Sequence, residues 1–209
     1  MKTRIILAVA VVLILAIALT SGASNMGFKL SQTLAANGVS KYIALPFYNS
    51  YSTQKAAYLY NDIVAAGGTA VNVYNWNGTA WQRWAGGGLG QINFDLAPGI
   101  GYQVKSTAAV DNWVVVGSHN PSTTIGLDAN GVSKYIAIPY HTTSTSAALF
   151  YNELVAAGGT AVNVYNWNGT AWQRWAGGGL GQVNFAVTPG VAYQAKSTAA
   201  IAAWTPAHY

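Results

Sequence analysis

The chain has 209 residues, ten of them basic and five acidic, a formal net charge of +5 and no cysteine. The absence of cysteine excludes disulfides and thiolate metal sites, so any folded unit must be held by its own apolar core. Only 7% of the residues are charged, far below the ~25% of ordinary soluble domains, and no basic run is present, which argues against nucleic acid as a partner.

In chain order, Lys2 and Arg4 precede an unbroken apolar run from Ile5 to Leu19, and the small residues Ser21-Gly22-Ala23 follow. This is the pattern of an export signal over residues 1–23, cleaved after Ala23. The run is shorter than the ~18 residues expected of a membrane-spanning helix, so the expected membrane contact is through the signal alone. Removing the signal leaves eight basic residues against five acidic ones, a net charge of +3. Residues 24–37 then carry a strand-capable segment, Gly27 to Leu34.

The next feature is a repeat. Val64 to Gln91 recurs letter for letter as Val155 to Gln182, an offset of 91 residues. A repeat of this length indicates a duplicated domain, not a solenoid turn. The modules are expected over 38–119 and 131–209, with 120–130 as a linker. Each begins with a strand, Gly38 to Ala44 or Gly131 to Ala137, ended by Pro46 or Pro139. A helix follows, with Ser52/Thr53 and Thr143/Ser144 as candidate caps. Its apolar stripe is Ala56, Leu59, Tyr60, Ile63 and Val64, matched by Ala147, Phe150, Tyr151, Leu154 and Val155. Gly67-Gly68 and Gly158-Gly159 stop it.

Asn77-Gly78 lies between two strand-like runs, Val71 to Trp76 and Thr79 to Trp84, and predicts a hairpin with a type I′ turn. In that register Trp76 faces Thr79, Tyr74 faces Trp81 and Asn72 faces Arg83. Val71, Val73 and Trp84 share the core side, while Tyr74, Trp76, Trp81 and Arg83 share the other. The glycine triplets at 86–88 and 177–179 read as flexible connectors. Ile92, Phe94 and Leu96 alternate as a further strand, Pro98-Gly99 makes a turn, and Tyr102 and Val104 continue as a strand. Trp113 to Val116 closes the first module. The fold class is mainly β, α+β within each module: two tandem, homologous small β-sandwiches or partly open barrels, each with one helix.

The copies differ most at their ends. Val114-Val115-Val116 follows Trp113, whereas Thr205-Pro206 follows Trp204, and the proline suggests that the second copy lacks a terminal strand. A spare N-terminal strand and a vacancy in the second module suggest head-to-tail strand donation, with Phe28, Leu30, Gln32 and Leu34 as the donor residues. The alternative is that this segment pairs inside its own domain.

Candidates for catalysis are sparse. His119, His141 and His208 have no equivalents in the other copy and no metal-motif spacing. Only Asp62 and Glu153 are equivalent acids; each is expected to pair with a lysine or to solvate the helix surface. The glycine triplets lack the lysine of a phosphate loop. The expectation is a protein without catalytic residues, metal or cofactor. Tyr74, Trp76, Trp81 and Arg83, with Tyr165, Trp167, Trp172 and Arg174, are the candidate ligand platform, suited to stacking on sugar rings; the preferred reading is that these aromatics pack across strands or under a neighbouring element. Asn77-Gly78-Thr79 and Asn168-Gly169-Thr170 match the N-glycosylation pattern, which makes Asn77 and Asn168 candidate glycan acceptors.

The stretch from Tyr74-Asn75-Trp76 through Gln91, with Leu96 to Tyr102 and Trp113, resembles repeated β-rich modules of secreted or cell-surface proteins of bacteria and archaea. The resemblance covers both copies, carries no catalytic signature and implies an extracellular role. The function expected is a secreted structural protein of the cell surface that forms a homo-oligomer or polymer, a filament built by strand donation. The alternative is a carbohydrate-binding surface module with two equivalent aromatic sites and glycans as partners.

Overall fold

The computed structural model describes residues 27–45, 48–49, 51, 54–118 and 123–208. The export segment and the capping candidates Ser52 and Thr53 lie outside them, and no described helix is long and apolar enough to cross a membrane. The first module contains β1 (Phe28–Leu34), β2 (Lys41–Ala44), β3 (Tyr48–Asn49), α1 (Ala56–Ala65), β4 (Asn72–Trp76), β5 (Trp81–Trp84), β6 (Gly101–Lys105) and β7 (Val110–Ser118). The second contains β8 (Ile125–Leu127), β9 (Lys134–Ala137), α2 (Ala147–Ala156), β10 (Asn163–Trp167), β11 (Trp172–Trp175), β12 (Ala192–Lys196) and β13 (Ile201–Trp204). The protein is mainly β, with two similar modules of one helix each.

Each module closes two antiparallel sheets and its helix around one core. In the first, the larger sheet has the order β2-β6-β4-β5 and the smaller β1-β7-β3. Ile43, Val73, Tyr102 and Val104 from the larger sheet, with Val71 just ahead of β4, share one core with Leu34, Val110, Trp113 and Val115 from the smaller one and Ala56, Leu59 and Ile63 from α1. The second module repeats this with sheets β9-β12-β10-β11 and β13-β8. Of the predicted helical stripe, Val64 and Val155 remain exposed.

The helices start later than predicted. Their N-caps are Lys55, without a side-chain bond, and Ser146, whose Oγ accepts from the Leu149 N–H. A further orphan amide at each start is met from a distance. The Asn93 side-chain oxygen accepts from Ala57 N–H at 2.9 Å, and that of Asn184 from Ala148 N–H at 2.8 Å. The glycine stops behave as expected. Gly67 has φ of 101° and the Gly68 N–H bonds the Ile63 carbonyl at 2.9 Å, a Schellman closure.

Other predicted elements shift. Residues 92–96 form no ladder strand, only an isolated bridge from Asp95 to Lys55; Phe94 and Leu96 are buried but Ile92 is exposed. The glycine triplets are not loose connectors. The Gln91 side chain accepts from Ala85 and Gly87 amides at 2.6 and 3.1 Å and donates to the Gly87 carbonyl at 2.6 Å, and Gln182 repeats the clamp. The stretch predicted as a linker includes β8, which pairs with β13 inside the second module. The second module does keep a terminal strand, of four residues against nine in β7. Pro206 ends it, and is itself buried at the position equivalent to Val115.

The N-terminal segment pairs within its own module: β1 runs antiparallel to β7, from Phe28 opposite Gly117 to Leu34 opposite Val110. Leu34 lies in the first core, and buried Gln32 reaches the Gly190 carbonyl of the second module at 3.0 Å.

Candidate functional site

The hairpin places Tyr74, Trp76, Trp81 and Arg83 on the face turned away from the core, as its alternation requires. Its register differs from the prediction by two residues: Val73 faces Trp84, Tyr74 faces Arg83 and Trp76 faces Trp81. The cause is Asn77. Its side-chain oxygen accepts from the amides of Thr79 and Ala80, and the Asn77 N–H bonds the Ala80 carbonyl at 3.2 Å, so Gly78-Thr79 form the tip. A slip of two residues preserves the faces, whereas a slip of one would exchange them.

That outer face is where the modules meet. Main-chain contacts are reciprocal: Ala44 N–H bonds the Gly190 carbonyl and Ala137 N–H bonds the Gly99 carbonyl, each at 3.0 Å. Ile43 bridges to Val191, and Ile136 to Ile100. Since Ala44 is equivalent to Ala137, and Gly99 to Gly190, the contact has the isologous form of a twofold dimer. At its centre, Tyr42 stacks on Tyr135, Trp172 lies 4.9 Å from Tyr42, and Trp81 lies 5.0 Å from Tyr135. Trp76 and Trp167 pack against the same cluster.

The eight platform residues are therefore divided. Trp76 and Trp81 approach to 5.4 Å, and Trp167 and Trp172 to 5.5 Å, but both pairs contribute to the inter-module cluster. Trp81 and Trp172 keep only 38% and 37% exposure. Tyr74 and Tyr165 lie beneath the ammonium groups of Lys105 and Lys196, at 5.6 and 5.5 Å. Arg83 donates to Asn72, and Arg174 to Asn163, at 2.6 Å. Asn77 and Asn168 are exposed at the hairpin tips. Of the proposed donor residues, Leu30, Gln32 and Leu34 pack in cis.

Two clefts flank the aromatic cluster, one on each side of the twofold. The first, of about 280 Å³, is lined by Ser40, Lys41 and Tyr42 of one module and Trp167, Asn168 and Gly169 of the other, with Thr33, Ala35, Val39 and Val191. The second, of about 200 Å³, uses the equivalents: Ser133, Lys134 and Tyr135 against Trp76, Asn77 and Gly78, with Ile100. Each thus combines an indole, a phenol, a serine, a hairpin-tip asparagine and a lysine. Asp95 and Asp128 line the second cleft alone, their equivalents being Ala186 and Ala35. Asp95 is held by Lys55 at 2.6 Å.

The ionisable groups at the clefts are perturbed by burial. Desolvation raises the Tyr42 and Tyr135 phenols above their ordinary value, the neighbouring Tyr42 adding to the rise at Tyr135. It lowers Lys41, whose ammonium donates to the Thr33 carbonyl at 2.7 Å.

The paired acids have a structural role that sequence reading missed. Asp62 accepts from the Trp113 indole at 2.6 Å and from the Tyr51 hydroxyl. Glu153 accepts from the Trp204 indole at 3.2 Å, the Ala207 amide at 2.9 Å and the Ser144 hydroxyl. Each fastens the last tryptophan of its module to the helix. The recurrence of both the acid and the tryptophan was the available signal. Among the described residues, no group of three or more His, Asp or Glu is placed to hold a metal ion. No protein-family model, curated protein or solved structure matches the chain.

Proposed function

We propose that the protein is a secreted cell-surface protein that binds saccharide in the two clefts between its modules. The observation supporting this reading is the duplicated lining. Each cleft offers an indole for stacking on a pyranose ring, beside the edge of a buried phenol and bordered by serine, asparagine and lysine donors. The aromatic sites are two, as the repeat requires, but each is shared between modules instead of lying on a single hairpin. Two sites on one chain gain avidity on a polymer.

The reading as a filament subunit, built by donating β1, is the second proposal. It requires β1 to leave a seat where Leu34 is 2% exposed and Gln32 is bonded across the module boundary. The cis geometry supports it less. The two proposals separate in one experiment, affinity electrophoresis through gels containing bacterial and plant polysaccharides, run beside light scattering of the purified protein. Saccharide binding predicts retardation by at least one polymer and a scattering mass independent of concentration. Growth in mass with concentration and no retardation by any polymer would replace the first proposal with the second.

A further inference from the structure

The two clefts share a scaffold but not a charge. In the first, Lys41 contributes the cation and no acid is among the lining residues. Its ammonium has one acceptor, the Thr33 carbonyl, whereas an ammonium carries three donors. Among the described residues the ion pair joins Lys55 to Asp95, and none of their carboxylates stands within pairing distance of Lys41. In the second cleft the equivalent Lys134 shares its walls with Asp128 and Asp95. Asp128 stands where the first cleft has Ala35, so one substitution accounts for much of the difference.

A half-buried cation without a counter-ion is a costly arrangement that an anionic ligand relieves. Burial lowers the Lys41 pKa, consistent with an ammonium that lacks charge compensation in the protein itself. The remaining walls choose among anions. The Trp167 indole suits a flat, partly apolar ring, and Ser40 and Asn168 suit hydroxyl groups. A carboxylate borne on a pyranose ring meets all of these demands.

Building on the saccharide reading, we infer that the first cleft is an acidic-sugar site, with Lys41 receiving the carboxylate of a hexuronate, and that the second cleft rejects it. Asp128 lines the second cleft and sets a carboxylate where a hexuronate would bring its own, and that like charge counts against binding; Asp95 lines it too but is already paired with Lys55. The chain thus carries its own control: two sites of one geometry, differing in acid content.

The test uses the two-module protein labelled with nitrogen-15, because the Trp167 and Trp76 indole N–H signals report separately on the two clefts. Their signals are assigned by Trp167→Phe and Trp76→Phe. Tri-galacturonate and tri-glucuronate are titrated beside their uncharged methyl esters. The expected result is saturable movement of the Trp167 signal by a free acid, a static Trp76 signal, and at least tenfold weaker binding of the matching ester. Lys41→Gln and Ala35→Asp should each weaken the acid at least tenfold, while Lys29→Gln, at an exposed lysine outside both clefts, leaves it unchanged. Thermal melts check that each variant folds. Equal binding of acid and ester, or no effect of Lys41→Gln in a folded protein, overturns the acidic-sugar assignment and leaves the saccharide reading standing. If neither acids nor esters move either indole, the acidic-sugar assignment fails; the saccharide reading falls as well if the polysaccharide gels show no retardation.

Discussion

Tyr42 and Tyr135, equivalent residues of the two modules, stack on each other with ring centroids 5.3 Å apart and planes within 7°. When a residue packs on its own counterpart, a twofold axis passes between the two copies. One outer sheet face thus serves as both halves of a self-complementary interface. The duplication explains why the aromatic face occurs twice, and the interface explains why so much aromatic surface is tolerated.

The same axis passes beside Gly101 and Ala192, which are also equivalent. A Cβ added at Gly101 would lie 2.3 Å from the Ala192 Cβ. Only one of the two positions has room for a methyl group. Gly101→Ala should destabilise the protein by about 1–3 kcal/mol, the usual cost of overpacking. The double variant Gly101→Ala/Ala192→Gly moves the methyl across the axis and should recover most of that loss. Thermal denaturation of the two variants checks this. Additive effects, without recovery, would contradict the packing at the axis.

Asp62 fastens Trp113 to α1, with Tyr51 on the same carboxylate oxygen. Asp62→Ala removes the acceptor of the buried Trp113 indole and one bond of Tyr51, and should cost about 1–3 kcal/mol, because an unmet indole donor loses its desolvation energy and the lost bond is charge-assisted. Glu153→Ala should behave similarly through Trp204. Denaturant unfolding monitored by tryptophan fluorescence measures both, and a change below about 0.5 kcal/mol would rule out the anchoring role.

Alternation in the hairpin made its two faces legible, and Val71 and Val73 are buried as that alternation requires. Its register was not legible, because a side chain of the turn, Asn77, takes amide bonds that a two-residue Asn-Gly turn would leave to the backbone. The outer aromatics showed that something must cover or contact that face, but periodicity cannot say that the partner is the same face of the other copy. The role of Asp62 depends on Trp113, 51 residues away in sequence, beyond the reach of local pattern. By contrast, the chemical difference between the clefts was visible in the alignment, as Ala35 against Asp128. What sequence lacked was the geometry that makes those two positions equivalent walls.

Alkaline pH should destabilise the protein. Burial raises the pKa of Tyr42, Tyr51, Tyr102, Tyr135 and Tyr193, that of Tyr102 to about 12 from an ordinary value of 10.0. Between those values the unfolded chain has released phenolic protons that the folded chain retains. Stability from these groups is therefore full below pH 10 and is lost as pH rises through the folded values. Lys41 acts in the opposite sense, since its lowered pKa makes the folded chain release that proton first, but it is one group against five. The urea midpoint should stay level from about pH 8 to about 9.5 and fall beyond about 10. A midpoint that holds level through pH 11 would show that these phenols are not shielded.

Trp167 and Trp76 occupy equivalent positions but make different bonds. The Trp167 indole donates to the Ser40 carbonyl across the module boundary at 3.1 Å, while the buried Trp76 nitrogen has no partner. Trp167→Phe therefore removes a bond and leaves the Ser40 carbonyl without it, at a cost of about 1 kcal/mol beyond the change in packing. Trp76→Phe removes a donor already unmet, which offsets the same loss of ring area. The two substitutions delete equal surface from equivalent sites, so the difference between them isolates the hydrogen bond. Parallel denaturant titrations should show Trp167→Phe as the less stable variant by roughly 1–2 kcal/mol. Equal midpoints would mean that the two indoles are equivalently bonded in solution.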